Sequence, residues 1–131
     1  MKTTEFIWFN GKLVPWDQAQ VHVLTHALHY GSGVFEGIRA YECADGKSAV
    51  FRLEDHAKRL IDSAKILRME VGFTAEQIAA ACVETLKANR MPAAYVRPLS
   101  FVGYGEMGVY PGNNPVHTII AVWPWGAYLG A

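Results

Sequence analysis

The sequence predicts an α+β fold: a mostly antiparallel sheet with two long helices packed on one face, forming a two-layer domain. Short apolar runs at both ends of the chain carry the composition and turn residues of strands, with Asn10-Gly11 and Asp45-Gly46 as hairpin signals. Two consecutive stretches in the middle, residues 54–69 and 74–86, instead repeat their apolar residues at helical spacing. Strands therefore precede and follow the helices in blocks, rather than alternating with them as a parallel sheet requires.

Phe6 to Phe9 and Leu13 to Val14 flank Asn10-Gly11, so the chain opens with a small antiparallel pair. Thr25 is placed to cap a short helix ending near Gly31. One strand from Val34 to Glu42 and another from Ala49 to Phe51 bracket the turn Ala44-Asp45-Gly46-Lys47. Glu54 and Asp55 suit the positive end of the first long helix, whose buried stripe is Ala57, Leu60, Ile61, Ala64 and Leu67 and which Gly72 ends. Thr74 with Gln77 forms a capping box for the second, with Ile78, Ala79, Cys82, Val83 and Leu86 inward and Met91-Pro92 closing it. Ala94 to Val102 and Val116 to Val122 read as strands, joined by a loop rich in Gly, Pro and Asn and long enough to be functional.

At 131 residues and 51% hydrophobic, the chain suits one domain with a substantial core. Twelve Lys and Arg balance twelve Asp and Glu, which leaves no global footprint for nucleic acid or an anionic membrane. Cys43 and Cys82, in a strand and a helix without CxxC spacing, read as free thiols of a reducing compartment. The polar start, Met1 to Glu5, does not suit a signal peptide, and no apolar window reaches the roughly 18 residues of a membrane span, so the cytoplasm is expected. No charged side chain follows Glu106, and the apolar end from Trp123 to Ala131 is expected to lead into a second domain. Residues 1–122 then form a small domain and 123–131 the start of an interdomain loop.

The densest signal is the run Ala27 to Arg39, which sets glycines 31, 33 and 37 among Tyr30, Phe35 and Glu36. Glycines let a ligand approach the main chain, and the aromatics supply walls. Tyr95 and Arg97, two apart in a strand, share a face; Arg97 grips either a ligand carboxylate with help from the tyrosine hydroxyl or an internal acid. Pro98 beside them suggests an edge or an irregular strand. Arg59 alone reads as a solvated boundary residue of the first long helix. His22, His26 and His29 read as structural histidines rather than zinc ligands, since no fourth ligand stands nearby at useful spacing. Gly31-Ser32-Gly33 matches neither the Walker nor the dinucleotide pattern, and no Ser, His and Asp arrangement is recognisable.

The segments His22 to Tyr41, Phe51 to Arg68, Ala94 to Gly103 and Pro124 to Ala131 closely resemble branched-chain amino-acid aminotransferases, class IV (fold type IV) pyridoxal-phosphate enzymes. The likeness covers the whole chain but only the smaller, amino-terminal domain of that family. It implies that Arg59 holds the cofactor phosphate, that Tyr95 and Arg97 are the substrate pair of the Tyr-x-Arg-Pro motif, and that Arg97, with Tyr30, takes the side-chain carboxylate of glutamate. It implies a branched-chain pocket lined by Phe35, Gly37, Trp125 and Tyr128, with Tyr30 and Val109 reaching into a neighbouring subunit's site. The implied assembly is a homodimer or higher homo-oligomer. The parent activity is transfer of an amino group between leucine, isoleucine or valine and 2-oxoglutarate.

The family's Schiff-base lysine belongs to its large domain. Lys2, Lys12, Lys47, Lys58, Lys65 and Lys87 fall at the terminus, after turns or on polar helix faces, so no catalytic residue is assigned to this chain. The chain alone is expected to be inactive and not to retain pyridoxal phosphate. A D-amino-acid aminotransferase or aminodeoxychorismate lyase of the same class is the nearest alternative, against which Tyr95-x-Arg97-Pro98 and Val34 to Gly37 argue. For the fragment as it stands, the alternative is a non-catalytic binding or assembly module.

Overall fold

A computed structural model describes residues 1–126. Strands β1 (Phe6–Phe9) and β2 (Lys12–Pro15) form the expected opening pair. Asn10 and Gly11 both take positive φ, 48° and 96°, the backbone that matches a two-residue hairpin to strand twist. A short 3-10 turn, Trp16–Gln18, and the one-turn helix α1 (His26–Tyr30) follow. Thr25 stands at the start of α1 without capping it, because its hydroxyl donates instead to the His22 carbonyl at 2.6 Å.

The strand expected from Val34 to Glu42 is two strands, β3 (Gly33–Phe35) and β4 (Ile38–Glu42). Both lie against the same side of the long strand β6 (Ala94–Val102), with Glu36 and Gly37 between them. The break has a local cause at Pro98. Its carbonyl accepts from the Glu36 N–H at 3.0 Å, so the ring nitrogen, which has no hydrogen to give, faces the gap rather than a paired strand. Pro98 therefore sits in a central strand, not on an edge, since β6 also pairs along its length with β7 (Val116–Trp123). With β5 (Ser48–Val50) beside β4, the sheet order is β2-β1-β7-β6-β4-β5, all pairs antiparallel and β3 set against β6.

Helices α2 (Leu53–Ile66) and α3 (Ala75–Ala88) cover one face of this sheet. Thr74 and Gln77 form the reciprocal capping box at the start of α3. α2 ends well before Gly72. Arg68 turns left-handed at φ 53°, donating to the Lys65 carbonyl while Met69 N–H reaches Ala64, and Arg90 with Met91 repeats the device after α3. Leu67 consequently lies beyond the stripe and is half exposed. The core joins Leu60, Ile78 and Cys82 of the helices to Ile38, Val96, Ile120, Val122 and Trp8 of the strands. Leu60, Ile78 and Ile120 are 0% exposed, each burial stabilising the fold by about 1.5–3 kcal/mol. Cys82 and Cys43 are free; burial pushes the Cys82 thiol up to about 12. No helix among the described residues is long and apolar enough to cross a membrane.

Candidate active site

Alternation along β6 sends Ala94, Val96 and Pro98 toward the helices and Tyr95, Arg97 and Leu99 to the opposite face. On that face Tyr95 stands beside Trp123 of β7, its strand partner, at 4.9 Å between rings. After β7 the chain turns back over Tyr95. The ring of Trp125 meets it edge-on at 4.5 Å, and Arg39 Nη1 donates to the Gly126 carbonyl at 3.3 Å.

Arg97 lies within this aromatic group, 4.2 Å from the Phe35 ring centre and 5.9 Å from that of Trp123. Its Nη2 donates to the Tyr95 hydroxyl at 2.8 Å, which leaves the hydroxyl's own hydrogen for another acceptor. Arg97 Nε is buried and has no hydrogen-bond partner among the described residues. No acidic side chain among the described residues pairs with Arg97, so the structural ion pair that the sequence left open is not formed there. Gly37 faces the same place: a Cβ there would overlap the Tyr95 hydroxyl oxygen. Only glycine permits that approach.

Arg59 is on the other side of residues 35–37. The same alternation that sends Phe35 toward Arg97 sends the Glu36 carboxylate toward α2, where it is 4% exposed. Arg59 donates to it twice, from Nε at 2.6 Å and Nη2 at 2.7 Å, and His56 Nδ1 lies 2.7 Å away. Burial alone would push the Glu36 carboxyl up; the hydrogen bonds and positive charge of Arg59, with His56, outweigh it and hold the carboxyl below its ordinary value. Arg59 is raised in turn, by its hydrogen bonds to Glu36. The Arg59 side chain as a whole remains 67% exposed, beside a hollow of about 320 Å³ that it lines with Phe51, Arg52, Asp55 and His56. Arg97 is not among the residues lining that hollow; the segment 35–37 connects the two cations.

Tyr30 and Val109 are placed elsewhere, at an exposed region formed by residues 21–30 and the 103–115 loop. Tyr128 lies outside the described residues. His22, His26 and His29 each engage neighbouring groups through a ring nitrogen, and no cluster of metal-binding side chains occurs among the described residues. Sequence reasoning missed Trp123, Glu36 and His56 as site residues. The first had a signal, two positions before Trp125 at the end of a strand; the pairing of Glu36 with a helical residue 20 positions further on had none.

The class IV amino-transferase family model matches residues 33–130 of the chain, which span Phe35, Gly37, Arg59, Tyr95 and Arg97. This chain belongs to the class IV aminotransferases. A branched-chain-amino-acid aminotransferase of Escherichia coli strain K12 is 50% identical over 131 residues, covering 99% of the chain and 42% of that protein. The Pseudomonas aeruginosa enzyme of that name is 48% identical over 124 residues, 95% of this chain and 40% of its own length. A crystal structure of the Escherichia coli enzyme superposes at a TM-score of 0.95 with 48% identity, over 98% of this chain and 42% of that one. A branched-chain amino acid aminotransferase from T.th., crystallised with pyridoxamine 5'-phosphate, matches at 0.90 with 46% identity, covering 95% and 42%. The chain thus spans less than half the length of these relatives.

Proposed function

We propose that the full-length protein transfers an amino group between leucine, isoleucine or valine and 2-oxoglutarate, and that these residues supply one wall of its site. Arg97 carries the reading. It is a cation with a buried nitrogen unsatisfied among the described residues, held by a tyrosine hydroxyl and boxed by aromatic rings. Such a group suits two substrates that one aminotransferase must accept in turn. A dicarboxylic acid gives its second carboxylate to the guanidinium and the free Tyr95 O–H, while an aliphatic side chain rests on Phe35 and Trp125 beside Gly37. The T.th. relative has been crystallised with N-(5'-phosphopyridoxyl)-L-glutamate and with 4-methylvaleric acid, one ligand of each kind.

The donor set at Arg59 fits a phosphate. Glu36 takes Nε and Nη2, which leaves Nη1 without a partner among the described residues on an exposed, permanently charged side chain. Arg59 is therefore assigned to the phosphate of pyridoxal 5'-phosphate. When bound, that cofactor supplies the carbonyl that receives the amino group and the electron sink that labilises the substrate Cα–H bond. Lys2, Lys12, Lys47, Lys58, Lys65 and Lys87 are all exposed, so the reading places the catalytic lysine in the part of the parent protein outside this chain. The chain alone acts as a non-catalytic module with no lasting hold on the cofactor.

In the same reading residues 1–122 are the small domain and 123–131 lead out of it toward the interdomain loop, with Trp123 still closing β7 and Trp125 and Tyr128 assigned to the pocket. Tyr30 and Val109 reach a neighbouring subunit's site in a cytoplasmic homo-oligomer. Arg97→Met in the full-length enzyme tests the central point, because methionine keeps the length and apolar bulk without the charge. The KM for glutamate should rise roughly 30-fold or more while that for leucine changes little. An equal rise for both substrates sinks the assignment.

A further inference from the structure

Tyr30 and Val109 lie in different segments, yet one buried side chain supports both. His26 is 1% exposed. Its Nε2 stands 2.7 Å from the Gly108 carbonyl oxygen, which can only accept, so Nε2 carries the proton. In the neutral ring Nδ1 is then the acceptor, and the Ser32 hydroxyl at 2.7 Å donates to it. The Tyr30 ring lies over the imidazole at 4.5 Å between centres, inclined by 30°. Through its main-chain N–H the same histidine also reaches the Gly103 carbonyl, at 3.4 Å.

The loop needs such a tie. Asn114 closes its neck, accepting from the Glu106 N–H and donating to the Gly103 and Glu106 carbonyls. Among the described residues, the hydrogen bond from His26 is the one that joins residues 107–110 to the rest of the fold. Gly108 takes φ 130°, a conformation that residues with a side chain rarely adopt, while presenting its carbonyl to the imidazole. Just beyond that fixed point, Val109 and Tyr110 are 86% and 83% exposed, and Tyr30 is 43% exposed.

We propose that His26 is a positioning residue that locks Tyr30 and the Gly108–Tyr110 turn into one unit, and so tunes substrate selection at the site these residues reach. Its bearing on selection rests on the reading above that Tyr30 and Val109 project into a neighbouring subunit's site. The lock itself rests on the contacts just given.

The test uses the full-length, cofactor-loaded enzyme. An asparagine side chain places its amide where Nδ1 was and keeps the Ser32 partner, whereas glutamine reaches the position of Nε2 and can still donate to Gly108. His26→Asn should speed hydrogen–deuterium exchange at the Glu106 and Asn114 amides, which the loop's own hydrogen bonds protect, by about tenfold and raise the KM for amino-acid substrates several-fold with a smaller change in kcat. His26→Gln should return both toward the parent. Unaltered exchange in His26→Asn, with secondary structure kept, overturns the lock. If neither variant folds, nitrogen-15 spectra of the histidine-labelled parent decide: a protonated Nε2 and a bare Nδ1 support the lock, and the opposite tautomer overturns it. Faster exchange with KM unmoved in both His26→Asn and Val109→Ala supports the lock but overturns the reading that Val109 reaches a substrate.

Discussion

At Gly37 a missing methyl decides the geometry of a pair of side chains. Because a Cβ there would overlap the Tyr95 hydroxyl oxygen, Gly37→Ala should displace that hydroxyl and loosen its bond to Arg97. The expected cost is about 1–3 kcal/mol in urea unfolding of the full-length enzyme, with a raised KM for glutamate. Glu36 makes a second prediction, on pH. Its native carboxyl titrates below its ordinary value, so its contribution to stability is complete above the unfolded value, about 4.3, and is lost as the pH falls through the native one. The parent's urea midpoint should therefore drop more steeply than that of Glu36→Gln as the pH is lowered below about 4.3. Equal slopes would show that the carboxylate does not carry the effect. The sequence displays Arg97 and Tyr95 plainly, since two positions in a strand share a face. It does not display Glu36 as the partner of Arg59, because that contact depends on where a helix lands against a broken strand.

The helices illustrate which boundaries are local. Thr74 and Gln77 write the start of α3 in four residues, and Thr74→Ala should cost about 1 kcal/mol by urea denaturation. Their ends are less legible, because arginine is an unusual residue for a left-handed turn and Gly72 offers a more obvious stop. Arg68 and Arg90 take that conformation to close a motif whose hydrogen bonds and, after α2, the burial of Met69 offset the strain. Arg68→Gly should accordingly stabilise the fold by up to about 1 kcal/mol, read as a higher urea midpoint. Lowered stability there would mean that the arginine side chain contributes more than its backbone strain costs. The split of the 34–42 strand was hidden for a different reason: β-propensity runs through it, and only the pairing with Pro98 of a distant strand interrupts it.

For the molecule as a whole, blocks of strand, helix and strand were enough to predict the layered architecture, whereas the sheet order was not, since it joins the first hairpin to the last strand. The apolar residues left uncovered are more telling. Val23 is 73% and Leu28 64% exposed, on the same region as Tyr30 and Val109. An apolar area of that kind suits a second copy of the protein. Leu28→Glu should shift the full-length enzyme toward a smaller species in sedimentation velocity while circular dichroism stays unchanged; an unaltered sedimentation coefficient would place the subunit contact elsewhere. Absorbance changes of the complete protein with L-leucine, D-alanine and aminodeoxychorismate separate the class IV activities, and a response to leucine alone is expected.

The docking of β1 against β7 also governs how the protein is made. Trp8 pairs with Ile120, and Asn10 grips Thr118 through both its backbone N–H and its side-chain oxygen. The hairpin leaves the ribosome well before the strand it docks on, and has no β7 to join until more than a hundred further residues have emerged. Until then Trp8 has only part of its cover, the Phe73 ring and α3, without the sheet that seats it, so the nascent polypeptide keeps an apolar edge open and release of the β7 segment from the exit tunnel becomes the event that completes this layer.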